Sequence, residues 1–101
     1  MKFNELMTNL YQSNTEDLPL KTYIHADGSR IPIVDVKLDD GYIVIISDYV
    51  VFKQLTLENV ISKLNDLGDK DDAEVYGVGC EGQNGDVVFD NTNDGNVYFN
   101  I

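Results

Sequence analysis

TLENVISKLNDLG, residues 56–68, reads as an amphipathic helix with both of its ends marked. Thr56 suits the N-cap, because its hydroxyl can accept from a first-turn N–H that has no partner inside the helix. Gly68 suits the left-handed position just past the last turn. Between them Leu57, Val60, Ile61, Leu64 and Leu67 recur at helical spacing, so one face of the segment belongs in a core. The opening MKFNELMTNLYQ repeats the stripe as Phe3, Leu6, Met7 and Leu10, and gives way to the polar SNTED before Pro19. Two helices that are apolar on one face only call for a sheet to lie on.

Three strand-like runs follow each helix, at 20–26, 31–38 and 42–47 in the first half and at 74–79, 86–90 and 96–101 in the second. Four Asx-Gly pairs punctuate them: Asp27 with Gly28, Asp40 with Gly41, Asn84 with Gly85, and Asp94 with Gly95. Such pairs supply the positive φ that tight hairpins need, so each half reads as a helix followed by a β-meander. A further apolar run, YVVF at 49–52, predicts an extra strand between the halves. The expected fold class is α+β: two helix-plus-β-meander units, about 1–47 and 55–101, forming an antiparallel sheet with two helices. A length of 101 residues suits one domain with one core.

A shift of 54 places lays one half on the other without a gap. Phe3, Leu6, Met7 and Leu10 then fall on Leu57, Val60, Ile61 and Leu64, and Ile24 falls on Val78. Ile33 with Val34 falls on Val87 with Val88, and Ile43 with Ile45 on Val97 with Phe99. This is the pattern of an internal duplication, or of two unrelated units that share one element order. The units differ in a telling way. In the last run Val97, Phe99 and Ile101 point one way and Asn96, Tyr98 and Asn100 the other, whereas Tyr42, Val44 and Ile46 hold the corresponding outward places. A strand apolar on both faces is either covered twice or open to a partner, and two helices are few for covering a sheet twice.

Eighteen acidic side chains against seven basic ones give a formal net charge of −11 and a pI near 4.1. The second half is the more acidic: residues 1–54 hold five basic and eight acidic side chains, residues 55–101 two and ten. Such a field repels nucleic acid and anionic lipid and favours a basic protein surface, besides keeping the chain soluble. No stretch approaches the roughly 18 apolar residues of a membrane span, and the opening segment lacks the pattern of a signal peptide. A single cysteine, Cys80, excludes an intrachain disulfide and fits a reducing cytoplasm.

Signs of catalysis are absent from the pattern. Nucleophilic chemistry needs an activated side chain beside a base, and the lone His25 and lone Cys80 lie in different units; each reads as an ordinary strand residue, Cys80 as a small buried apolar one. The acid-rich runs DLGDKDDAE and DNTNDGN lack the spacing of a calcium loop, and CEGQNGD lacks the residues of a phosphate loop. The expectation is therefore a non-enzyme without cofactor or metal. Two interaction surfaces stand out. Asp66, Asp69, Asp71, Asp72 and Glu74 form an acidic segment that Asp86, Asp90 and Asp94 extend; in extended chain, carboxylates two residues apart lie about 6.5–7 Å from one another. The other is the apolar sheet face of Tyr42, Val44 and Ile46.

The stretch LTLENVISKLNDLGDKDDAEVYGV, residues 55–78, resembles small acidic phage and prophage accessory proteins, which open with a Leu-spaced helix, an acidic loop and a strand of DAEV type, here Asp72, Ala73, Glu74 and Val75. The resemblance implies an origin in a mobile element and a host cytoplasm as the compartment. Some acidic proteins of phage origin inhibit host nucleases, CRISPR effectors or restriction enzymes by imitating the charge of DNA. The leading expectation is an inhibitor or accessory protein of that kind, docked on a basic surface of a nuclease or other nucleic-acid-binding protein. An immunity or antitoxin protein neutralising a basic toxin is the alternative, as is a self-assembling subunit or homodimer that buries its apolar face.

Overall fold

The structure, a computed structural model, describes residues 1–13, 20–68, 72–90 and 96–101. Helix α1 spans Phe3–Ser13 and α2 spans Leu57–Asp66. The Thr56 side chain accepts from the Asn59 N–H at 3.1 Å, and the Thr56 N–H donates to Asn59 Oδ1 at 3.3 Å, so two first-turn donors are satisfied reciprocally. At the other end Gly68 takes φ +84° and its N–H bonds back to the Asn65 carbonyl. Phe3, Leu6 and Leu10 from α1 join Leu57, Val60, Ile61 and Leu64 from α2 in the same core.

Seven strands follow: β1 (Thr22–Ala26), β2 (Ser29–Asp39), β3 (Tyr42–Ser47), β4 (Val75–Val78), β5 (Asn84–Asp86), β6 (Val88–Asp90) and β7 (Val97–Asn100). The β1–β2 and β2–β3 hairpins turn at Asp27 with Gly28 and at Asp40 with Gly41, all four at positive φ, as a two-residue turn twisting with its strands requires. Asn84 and Gly85 do not form a turn. They lie within β5, and the chain reverses instead over residues 79–83, with Gly82 at φ +85°. Asp94 and Gly95 lie outside the described residues. Residues 49–52 are not a strand either. They lead into a short 3-10 turn, Val51–Lys53, because the chain must reverse here to start α2; Phe52 at its tip is 86% exposed.

The strands form one sheet in the order β5-β4-β3-β2-β1-β7-β6, and it is mixed rather than antiparallel. The parallel pairs are β1 with β7 and β3 with β4. Each half thus hands its first strand to the last strand of the other, so the halves interlock instead of standing side by side as two meanders. Only Val87 separates β5 from β6, yet these two strands close opposite ends of the order. The sheet therefore curls until its ends meet on one segment, residues 84–90, which pairs first with β4 and then with β7. Strand β2 does the same in the first half, leaving β1 for β3 through a register shift between Ile33 and Asp35.

Matching hydrogen bonds recur in the two halves. Phe3 N–H donates to Ala73 O and Leu57 N–H to Leu20 O, both at 2.8 Å; Ile43 N–H donates to Glu74 O and Val97 N–H to Lys21 O, both at 2.9 Å. The isolated bridges Lys2 with Glu74 and Lys21 with Thr56 follow the same exchange. These partners keep the offset of 54 for the helices and for β3 with β7, but shorten it to 53 for β1 with β4. Ile24 is thereby equivalent to Gly77 and not to Val78. Inward-facing Ile24, Ile31, Ile33, Ile43, Ile45, Val75, Val97 and Phe99 join both helices in one continuous core.

Candidate interaction surface

Side chains that alternate along paired strands fall into rows, and the registers of β2, β3, β4 and β5 set out the outer face of that half of the sheet. Tyr42 lies opposite Asp39, Val44 opposite Lys37 and Ile46 opposite Asp35 on β2. On the other side Val44 lies beside Tyr76 and Ile46 beside Val78 on β4, while Tyr76 faces Asp86 and Val78 faces Asn84 on β5. The result is an apolar centre two strands wide, flanked by polar and mostly acidic columns. Tyr42, Val44, Ile46, Tyr76 and Val78 stand outside the core, whose apolar cluster claims the buried faces of both helices. Tyr42 is exposed and the other four are half-buried by their neighbours.

The acidic residues expected to form one line are divided by the topology. Glu74, which immediately precedes β4, and Asp86 both act on Tyr76: partial burial of that phenol, then the charge of Asp86, then Tyr42 and Glu74, raise its pKa above the usual value. Glu74 also meets Lys2 Nζ at 3.3 Å and the amino terminus at 3.8 Å, so local cations offset part of its charge. Asp72 is exposed, and its carbonyl accepts from Lys2. Asp66 is exposed at the end of α2. Asp90 does not continue the line from Asp86, because the chain crosses at Val87 to the other end of the strand order; there Asp90 approaches His25 Nδ1 at 4.0 Å. Asp69, Asp71 and Asp94 lie outside the described residues.

The equivalent outer face of β7, β1 and β2 has a different character. Tyr23 and Tyr98 stack at 5.3 Å, His25 lies 4.5 Å from the Tyr98 ring, and Arg30 caps Tyr23 at 4.8 Å while donating to the Tyr98 hydroxyl at 3.1 Å. Tyr98 points outward as its alternation predicts, yet is only 2% exposed, because these neighbours close over it. One outer face is thus filled by its own side chains and the other is left open.

Cys80 is exposed in the turn after β4, not buried as expected, because the chain has already left the sheet there. His25 sits on β1 beside Tyr98 and Asp90. Among the described residues no three His, Cys, Asp or Glu side chains gather where a metal could sit, and no helix is long and apolar enough to cross a membrane. Tyr76 and Val78 complete the open face but went unnoticed in the sequence, although residues 74–79 carry the same alternation as residues 42–47. No protein-family model matches this chain, and no curated protein or solved structure matches it.

Proposed function

We propose that the protein is a non-enzymatic binding protein of the phage accessory type, which docks the outer face of β2, β3, β4 and β5 on a basic surface of a nucleic-acid-handling enzyme and inhibits or modulates it. The observation that carries this reading is the arrangement of that face, an apolar centre of Tyr42, Val44, Ile46, Tyr76 and Val78 edged by Asp39, Glu74 and Asp86. Protein interfaces have this anatomy, with an apolar middle that excludes water and a charged rim that steers the encounter. A formal net charge of −11 selects a basic partner over a second copy of this chain, which would bring the same charge. The test is capture from a bacterial lysate at low and moderate salt, followed by titration of the captured enzyme's activity on nucleic acid. Retention of a nuclease or nucleic-acid-binding enzyme whose activity falls with added protein supports the reading. Capture that Val44→Asp leaves intact would sink it.

We also infer that the two halves descend from one helix-plus-three-strand unit by duplication. The reciprocal hydrogen bonds and the parallel pairs exchanged between halves support this. Relatives whose halves align no better than chance at offsets of 53 and 54 would argue against it.

A further inference from the structure

The open face is not uniform along its strands. Tyr42 and Tyr76 stand together near one end, ring centroids 5.1 Å apart and planes inclined at 55°, while Ile46 and Val78 make the other end aliphatic. The acids gather at the aromatic end, with Asp39 opposite Tyr42 and Asp86 opposite Tyr76. Lys2 and the amino terminus already engage Glu74, whereas Asp86 is exposed and has no ion pair among the described residues. Lys37 lies across the apolar centre from Asp86, and Lys63 engages Asp35 at 3.4 Å at the aliphatic end.

Inclined aromatic faces beside a carboxylate draw a cation twice over. The ring face is the negative pole of the aromatic quadrupole, and the carboxylate adds a full charge. At so open a site a compact ammonium stays hydrated and gains little. A guanidinium is planar and weakly hydrated, so it can stack on a phenol while its edge donates to a carboxylate. Resting on the binding role argued above, we propose that Tyr42, Tyr76 and Asp86 receive an arginine side chain of the partner, and that an apolar residue beside that arginine covers Val44 and Ile46.

The probe is a synthetic peptide alternating arginine with leucine, titrated into the isotope-labelled full chain while amide shifts are followed. Matched peptides carry lysine or glutamate in place of arginine. Saturable shifts centred on Tyr42, Val44 and Tyr76 are expected, weaker with lysine and absent with glutamate. Tyr76→Ala and Asp86→Asn should each weaken binding by about two- to fivefold, while Tyr23→Ala on the outer face of the other half leaves it unchanged. The amide spectrum of each variant separates misfolding from lost binding. Should Tyr76→Ala unfold the chain, the isosteric change at exposed Asp86 decides alone. Undiminished binding in Asp86→Asn, or equal affinity for lysine, overturns the arginine site while leaving the broader role standing. Failure of every cationic peptide to bind overturns both.

Discussion

Ile24 and Gly77 hold equivalent places in the two halves and meet inside the curled sheet. A Cβ built on Gly77 would stand 3.1 Å from Ile24 Cδ1, 3.2 Å from Val87 Cγ2 and 2.7 Å from Ile101 Cγ2. A side chain at position 77 would crowd Ile24 and Val87 and would force Ile101 to shift, so the half that lacks the isoleucine carries a glycine there. The two halves differ here at a position where a second side chain would cost packing.

Gly77→Ala is therefore expected to destabilise the fold by about 1–3 kcal/mol, the usual cost of overfilling a packed core. Denaturant unfolding would show it as a lower midpoint. Adding Ile101→Ala removes the crowding Cγ2 methyl, so the double variant should lose less than the two single variants together. A single variant as stable as the parent would mean that the interior yields more readily than the contacts indicate.

Thr56→Ala should cost about 1 kcal/mol, because it removes the acceptor for the Asn59 N–H and with it one arm of the reciprocal cap. Thr56→Ser, which keeps the hydroxyl, should cost far less. The two unfolding midpoints, compared directly, check the cap and not merely the loss of side-chain volume.

The pH dependence follows from Tyr76. Its folded pKa is raised above the ordinary phenol value of 10.0, first by burial and then by Asp86, Tyr42 and Glu74. The unfolded chain consequently releases this proton at lower pH than the native one. The contribution is complete below about pH 10 and is lost as pH rises through the folded value. Stability should fall more steeply above pH 10 in the parent than in Tyr76→Phe, and identical alkaline limbs would contradict the assignment. Tyrosinate absorbance should show this phenol titrating late.

The parts of this fold legible in the sequence are those made by neighbours along the chain. Thr56 and Gly68 frame α2, and Asp27 with Gly28 and Asp40 with Gly41 make the hairpins they imply. The parallel pairs were hidden, because nothing local in residues 43–46 says that residues 75–78 will lie beside them. The pair Asn84 and Gly85 misled for the same reason: its turn chemistry yielded to pairing with Val78 and Gly77 across the sheet. The site was half legible. Alternation set Tyr42, Val44 and Ile46 outward, but only the register with β4 and β5 brings Tyr76 and Asp86 to them and carries Asp90 away.

The last prediction separates this face from charge in general. Asp39→Lys with Asp86→Lys changes two acids on the rim of the open face, and Asp48→Lys with Asp66→Lys changes two exposed acids elsewhere. Both pairs shift the net charge equally and touch no core residue, so stability should move little in either. Rim charges act mainly on encounter, and their reach is about 8 Å at physiological ionic strength. Association with a cationic partner, followed by stopped flow, should therefore slow by about tenfold or more in the first pair and only slightly in the second. The rate for the parent should fall as salt is added, and the first pair should lose most of that dependence. Equal slowing in the two pairs would mean that overall charge alone governs the encounter. Normal rates in both, together with lost binding in Val44→Asp, would assign recognition to the apolar centre and leave the carboxylates a solubilising role.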